Sequence, residues 1–349
     1  MANTSLLKAN KAKNDEFYTQ LKDIENELKH YKDQLKGKVI FCNCDDPFES
    51  KFFKYFAMYF KALGLKKLIT TCYDPSPVAN KEIQLSFFDE GKEIKHNNKS
   101  RQKIISKAYK IELDDITDID GSGNIDILDT KKILLREKAK LDNGEKSKIL
   151  SYLKGDGDFR SDECVELLKK ADIVITNPPF SLYREYIAQI MEFNKSFLIV
   201  GDDNWVTLKE TFDLLRLNKM WKGYSRVKEF RQPNGIMKKF GNKCWFTNLD
   251  TTKRKEEIIL YKKYTPEEYP KYANYDAIEV SKVAEIPEDY YGEMGVPITF
   301  LDKYNPEQFE IIGSSRNLGK KMSECGFPKG SYVSGGVRFY LPNNSLSLL

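Results

Sequence analysis

Short apolar runs alternate with amphipathic stretches along this chain, and their periods read as strands and helices in turn. Lys38-Val39-Ile40-Phe41-Cys42-Asn43-Cys44 has the pattern of a buried strand. A helix follows from Phe48 or Glu49 to Leu63, apolar nearly all round through Phe52, Phe53, Tyr55, Phe56, Met58, Tyr59 and Phe60, as expected of a helix packed on a sheet. Gly64 ends it, and Lys67 to Asp74 forms the next strand, completing a β-α-β unit. The alternation resumes with a helix from Asp162 to Lys170, a strand from Ala171 to Thr176, a helix from Ser181 to Phe193, a strand from Ser196 to Gly201 and a helix around Leu208 to Leu217. Such an order predicts an α/β fold with a mixed, mostly parallel sheet and helices on both faces.

Other elements flank this series. Ile24, Leu28, Tyr31 and Leu35 mark a helix from about Leu21 to Leu35. Residues 89–150 read as an insertion, basic from Gly91 to Lys110 and ending in a Lys-rich surface helix from Thr130 to Lys148. Trp221 to Leu249 has the pattern of strands joined by glycine turns, with Gln232-Pro233-Asn234-Gly235 as a loop tip. Glu256 to Tyr261 is expected to be a last core strand. Beyond Thr265 the Tyr- and Pro-rich sequence predicts short elements, and Ile311 to Asn317 with the Gly- and Lys-rich end fits either loops or a DNA contact.

Composition narrows the class. With 349 residues, 40% apolar and 31% charged, the chain is that of a soluble globular protein. No signal peptide and no 18-residue apolar run is present, which predicts a cytoplasmic protein without membrane contact and with reduced thiols. The six cysteines include no C-x-x-C pair and there are only two histidines, His30 and His96, which argues against a zinc site and against a Ser-His or Cys-His nucleophile. Charge is unevenly spread: Arg216 to Lys263 holds 14 Lys/Arg against 4 Asp/Glu, whereas Tyr264 to Glu310 holds 3 against 11. The basic stretch, interleaved with Trp221, Tyr224, Phe230, Phe240, Trp245 and Phe246, has the character of a polyanion footprint, although a solvated lysine-rich face fits as well.

Asn177-Pro178-Pro179-Phe180 closes the strand 171–176 at its carboxyl end, the edge where open α/β sheets bind ligands. The Asn177 amide oxygen and the Pro178 carbonyl are two acceptors beside an aromatic face, a set that suits an amino group on a planar heterocycle. A plain tight turn before a helix explains the same four residues, so context decides. That context includes Phe17-Tyr18-Thr19 before the first helix, Asn43 to Pro47 after the first strand, Asp74 after the second, and Gly155-Asp156-Gly157-Asp158-Phe159. An acidic residue after the second strand is what a ribose diol requires, and Asp156 or Asp158 with Phe159 would cradle an adenine. Asp118 to Asp129 follows the spacing of a calcium loop, departing from it with Ser122 at the fifth position and Asp129 at the twelfth. A calcium-free acidic turn is the preferred reading, and no metal is assigned.

Taken jointly, these motifs resemble the S-adenosylmethionine-dependent adenine-N6 DNA methyltransferases. Phe41-Cys-Asn-Cys-Asp-Asp-Pro-Phe-Glu-Ser, Gly155-Asp-Gly-Asp-Phe-Arg-Ser, Asn177-Pro-Pro-Phe-Ser and Gly241-Asn-Lys-Cys-Trp-Phe are more narrowly similar to the EcoRI-type family, over roughly Asn14 to Leu318. Most enzymes of the wider class carry a glycine-rich F-x-G-x-G after the first strand; here Cys42-Asn43-Cys44-Asp45-Asp46-Pro47 stands in its place, a substitution the EcoRI-type family shares.

The resemblance implies a Rossmann-like catalytic core over 1–262, carrying the insertion at about 89–150. It also implies a C-terminal target-recognition region over 263–349, sharing DNA contacts with 216–262. S-adenosylmethionine is the implied cofactor. Phe17, Tyr18 and Thr19 are expected at its methionine end with Asn43, Asp45 and Asp46 nearby, Tyr73 or Asp74 at the ribose or adenine, and Asp156, Asp158 and Phe159 around the adenine. Asn177 and Pro178 would orient the target amine, with Pro179 shaping the turn and Phe180 stacking on a flipped-out base. Double-stranded DNA is the implied partner of a monomer, with a cognate restriction endonuclease acting on the same site without a stable complex. RNA or a protein amide as substrate, and an inactive cofactor- or DNA-binding decoy, are the competing readings.

Overall fold

A computed structural model describes residues 18–44, 46–48, 50–73, 108–119, 121–231, 237–314 and 318, and the backbone of 333–334, 337–338 and 345–348. The chain divides into two compact units, Met1–Asp203 with Gly223–Leu249, and Asn204–Lys222 with Asp250–Leu349.

The first unit is built on a nine-stranded mixed sheet. Its strands are β1 (Tyr18–Thr19), β2 (Val39–Cys42), β3 (Lys67–Thr71), β4 (Tyr109–Leu113), β5 (Leu150–Tyr152), β6 (Ile173–Thr176), β7 (Ser196–Asp202), β8 (Trp221–Arg231) and β9 (Met237–Thr247). They lie in the order β1-β8-β9-β7-β6-β2-β3-β4-β5. The central strands β7, β6, β2 and β3 are parallel neighbours, whereas β3 with β4, β4 with β5, β7 with β9 and β1 with β8 run antiparallel. Every side chain of Val39–Cys42 and of Ile173–Thr176 is buried, as expected for parallel strands covered on both faces.

The helices of this unit are α1 (Leu21–Leu28), α2 (Lys32–Leu35), α3 (Lys51–Met58), α4 (Ile127–Asp142), α5 (Asp162–Lys170) and α6 (Tyr183–Glu192). The helix expected over 21–35 is broken between Leu28 and Lys32, where the buried Tyr31 hydroxyl turns back to donate to Glu27 Oε1 at 2.8 Å. In α3, Phe52, Phe53, Tyr55 and Phe56 are buried and Ser50 Oγ caps the first turn by accepting from Phe53 N. The described part of 89–150 enlarges the sheet with β4 and β5 and contributes α4. The expected loop tip at 232–235 and the basic stretch 91–107 lie outside the described residues.

The calcium-like stretch is a helix start. Asp118 accepts from the N–H groups of Gly121, Ser122 and Gly123, and the buried Asp129 accepts from those of Ile119 and Asp126. Asp126 in turn accepts from Leu128 N and Asp129 N, closing a reciprocal cap on α4. These carboxylates are spent on backbone donors; Asp120 lies outside the described residues.

The second unit holds α7 (Lys209–Arg216), a four-stranded sheet and a two-stranded ribbon. The sheet consists of β10 (Ile278–Glu279), β11 (Met294–Pro297), β12 (Ile311–Ser314) and β15 (Ser345–Leu348), in the order β10-β11-β15-β12. The ribbon pairs β13 (Val333–Ser334) with β14 (Val337–Arg338). The core strand expected at Glu256 to Tyr261 is absent. Ile259 is 85% exposed, and the Gln308 side chain takes both backbone groups of Ile258 at 2.8 Å, so they enter no ladder. Among the described residues, no helix is long and apolar enough to cross a membrane.

Candidate active site

Three strands, β2, β3 and β6, end at one edge of the sheet, and each end carries one of the motifs. The chain leaves β2 for β3 on one side and later enters β6 on the other, so the strand order reverses between β2 and β6. Connections running in opposite directions leave a crevice outside the carboxyl ends at such a point. Asn43 follows β2 there and Asn177 follows β6.

Asn177 is 7% exposed, Pro178 is buried, and Pro179 and Phe180 are half-buried. Neither proline can donate to a ladder, so β6 stops. A single 3₁₀ turn, Phe180–Leu182, then leads into α6, with Leu182 N donating to the Pro179 carbonyl at 3.0 Å.

α6 ties this turn to the other two strand ends. The hydroxyl of the fully buried Tyr186 donates to Asn43 Oδ1, which also accepts from the Cys44 thiol at 3.5 Å. Burial pushes the Tyr186 pKa well up, so its hydroxyl stays a donor. Gln189 Nε2 donates to the Phe159 carbonyl at 3.2 Å, and the Phe159 ring meets Tyr186 edge-on with centroids 5.0 Å apart. Gly157 seats the same loop on the end of β3: its φ is +81°, and a Cβ there would lie 2.0 Å from the Cys72 carbonyl oxygen. Only glycine allows that approach.

The acidic residues have separate environments. Asp46 is 5% exposed; its Oδ1 accepts from Phe48 N at 2.8 Å and from the Tyr109 hydroxyl at 2.9 Å, and its Oδ2 has no partner among the described residues. Burial raises its pKa. Asp158, although partly desolvated, is held below the usual carboxylate range by Arg160, whose Nε and Nη2 reach it at 2.9 and 2.6 Å. Asp156 is exposed and accepts from Asp158 N at 3.0 Å.

Asn43, Phe159 and the N-P-P-F turn are thus joined in one network, and Tyr73 adjoins the Cys72 carbonyl on which Gly157 rests. Tyr18 and Thr19 are placed differently. They form the edge strand β1, paired with Arg231 and Phe230 and separated from β2 by four strands, while β1 packs against α3. Thr19 is 2% exposed, and its Oγ1 has no partner among the described residues. Phe17, Asp45 and Asp74 lie outside the described residues.

Pattern reading did not pick out Tyr186 and Gln189, which look like ordinary helix positions; their spacing from Asn177 was the one available signal. It also passed over Asp202 and gave Lys243, although within the motif Gly241 to Phe246, no role of its own. These face each other across β7 and β9, with Lys243 Nζ 2.5 Å from Asp202 Oδ2 and over the Phe180 ring. The aromatics of the basic stretch need correcting. Phe230, Trp245 and Phe246 are fully buried core, Tyr224 stacks on His30 at 3.9 Å, and Trp221 in the second unit is covered by the Arg254 guanidinium at 3.9 Å. Trp245 and Phe246 are consecutive on β9, whose residues 243–247 are all buried, so this part of the sheet is covered on both faces. The exposed positions include the cations Arg226, Lys228, Arg231, Lys238 and Lys239.

Comparison with known proteins gives the family of the chain. Residues 5–333 match the family described as adenine-specific methyltransferase EcoRI. The chain is 43% identical over 339 residues to the type II methyltransferase M.EcoRI of Escherichia coli, covering 91% of each chain. It is 34% identical over 331 residues to the type II methyltransferase M.MpnI of Mycoplasma pneumoniae, covering 89% of this chain and 85% of that one. No solved structure matches.

Proposed function

The chain belongs to the EcoRI-type adenine-specific methyltransferase family, and from that premise we propose that it is a site-specific DNA methyltransferase acting on the N6 amine of adenine, with S-adenosylmethionine as donor. The observation that carries the reading is the junction of Asn177-Pro178 with Asn43 and Phe159 through α6, at the switch point of the sheet. An amine held by the first motif and a cofactor held by the other two would meet in one crevice.

The residues present fit that cofactor. Asp46 Oδ2 is a buried polar atom without a partner among the described residues, suited to the ammonium of an amino-acid moiety. Phe159 offers an edge for an adenine, Asp158 an acceptor, and Tyr73 adjoins them. S-adenosylmethionine supplies, when bound, a methyl group made electrophilic by its sulfonium. Asn177 and Pro178 accept from the two N–H bonds of the target amine and turn its lone pair toward the crevice, and Phe180 stacks on the base once it has left the duplex. Catalysis by this chain is therefore positioning, with acceptors placed where the nitrogen gains positive charge.

The central sheet serves as a Rossmann-like core within 1–262. DNA contacts fall to the exposed cations of β8 and β9 and to 263–349. The protein works as a monomer and needs no stable complex with an endonuclease cutting the same site. The test is methylome sequencing of DNA from cells expressing the chain or its Asn177→Ala variant. N6-methyladenine in a fixed context, lost in the variant, is the expected result; the same methylation in both would overturn the role of Asn177.

A further inference from the structure

The ring of Phe180 carries a cation. Lys243 Nζ lies 4.3 Å from its centroid and 5.2 Å from that of Phe240. The register of β7 and β9 sets Lys243 opposite Asp202, and Asn242 Nδ2 reaches the same carboxylate oxygen at 2.8 Å, so the ammonium has a fixed anchor. The Lys243 side chain is only 9% exposed. A lysine is seldom buried to this degree unless paired, and this one is paired at the N-P-P-F turn.

Its position conflicts with the stacking role of that ring. Phe180 packs against the apolar core, which occupies one side of it, and the ammonium lies over the ring. Stacked aromatic centroids sit roughly 4.5–7 Å apart, so a base stacked over that face needs the space that Nζ fills. Nor would the ammonium help if it stayed. The amine nitrogen becomes positive as it is methylated, and a neighbouring cation opposes that charge.

We propose that Lys243 is a specificity-determining residue: held by Asp202, it occupies the stacking face of Phe180 until an entering base swings it off the ring with that ion pair kept. This rests on the methyltransferase reading above. Displacing a cation from two rings is unfavourable, and only a base that gains both acceptor bonds, to Asn177 and Pro178, offsets it. A base presenting a carbonyl at that position gains neither, because two acceptors face each other. The occupied ring thereby widens the difference between a correct and an incorrect base without touching the duplex.

The test uses the full-length protein and duplexes carrying 2-aminopurine in place of the target adenine of the site found by methylome sequencing. Lys243→Met removes the cation. The double variant Asp202→Asn with Lys243→Met removes it without leaving a lone carboxylate, and Lys243→Arg retains it. Both charge-removing variants are expected to give higher 2-aminopurine fluorescence at saturation than the parent. They should also raise methylation at sites one base pair from the cognate by about tenfold relative to the cognate site. Lys243→Arg should stay near the parent. If both charge-removing variants keep the parent's fluorescence and discrimination, or lower the fluorescence, the inference is overturned. Absence of N6-methyladenine with the parent protein would instead overturn the reading on which it rests.

Discussion

The Tyr186 hydroxyl donates to the Asn43 side-chain oxygen, so the helix that follows the N-P-P-F turn is tied to the end of β2 across the crevice. Tyr186→Phe keeps the ring against Phe159 and removes this bond. It should lower stability by about 1–3 kcal/mol, measured by urea denaturation, because the Asn43 oxygen would retain only the weak Cys44 thiol donor. The KM for S-adenosylmethionine should rise several-fold. An unchanged KM would place Asn43 away from the cofactor.

Gly157 and Gly155 should differ sharply in their tolerance of alanine. At Gly157 the added methyl meets the Cys72 carbonyl at 2.0 Å in a backbone already at positive φ, whereas at Gly155 nothing lies within 4 Å. Gly157→Ala should cost about 3 kcal/mol or more and weaken cofactor binding, and Gly155→Ala about 1 kcal/mol or less. Thermal denaturation of the two variants side by side checks the contrast.

Asp46→Asn should trade function for stability. Burial raises the folded-state pKa of Asp46 above its unfolded value, so the ionised group destabilises the fold. That penalty is absent below the unfolded value, near 3.9, and grows as pH rises through the folded one. The variant should therefore gain stability over the parent at neutral pH, and the gain should vanish toward pH 4. S-adenosylmethionine affinity should fall, as read by calorimetric titration. A variant less stable than the parent at neutral pH would contradict this.

The cations of the β8–β9 hairpin should set the salt dependence of DNA binding. Lys228, Arg231 and Lys238 are exposed there. Each replacement by Gln should reduce the slope of log affinity against log salt by about one if the side chain meets a phosphate, with little change in stability. Titrations at several salt concentrations decide it, and an unchanged slope would remove the hairpin from the interface.

Much of this was legible before the structure because it is local. Ser161 caps a helix from Asp162 to Lys170, and the β-branched run ending at Thr176 is buried in full, as its composition required. The motif at 155–159 was recognisable because Gly157 occupies a backbone conformation that other residues avoid. What was not legible depends on partners far along the chain. Glu256 to Tyr261 has the composition of a strand, but a side chain 50 residues away at Gln308 takes its backbone groups. Lys243 was one of fourteen cations in a basic stretch. Its identity as a buried group depends on Asp202, 41 residues earlier, and on the register that opposes them. The aromatics of β8 and β9 look like a binding stripe until the layers covering both faces of the sheet take them into the core.

The first strand of the chain finds its partner more than two hundred residues later, at Phe230 and Arg231. α1 repeats the dependence, because Asp23 accepts from Lys228 N, and the buried Glu27 accepts from Tyr224 N and from both donors of Ser225. A chain emerging from the ribosome exposes Tyr18, Thr19 and these carboxylates long before β8 exists to meet them. This segment is thus synthesised well before its partners in β8 and is among the last to dock, because such distant contacts form only after the intervening chain has closed. Nascent chains halted before residue 231 would carry an unpaired sheet edge, the species on which chaperones and proteases act first.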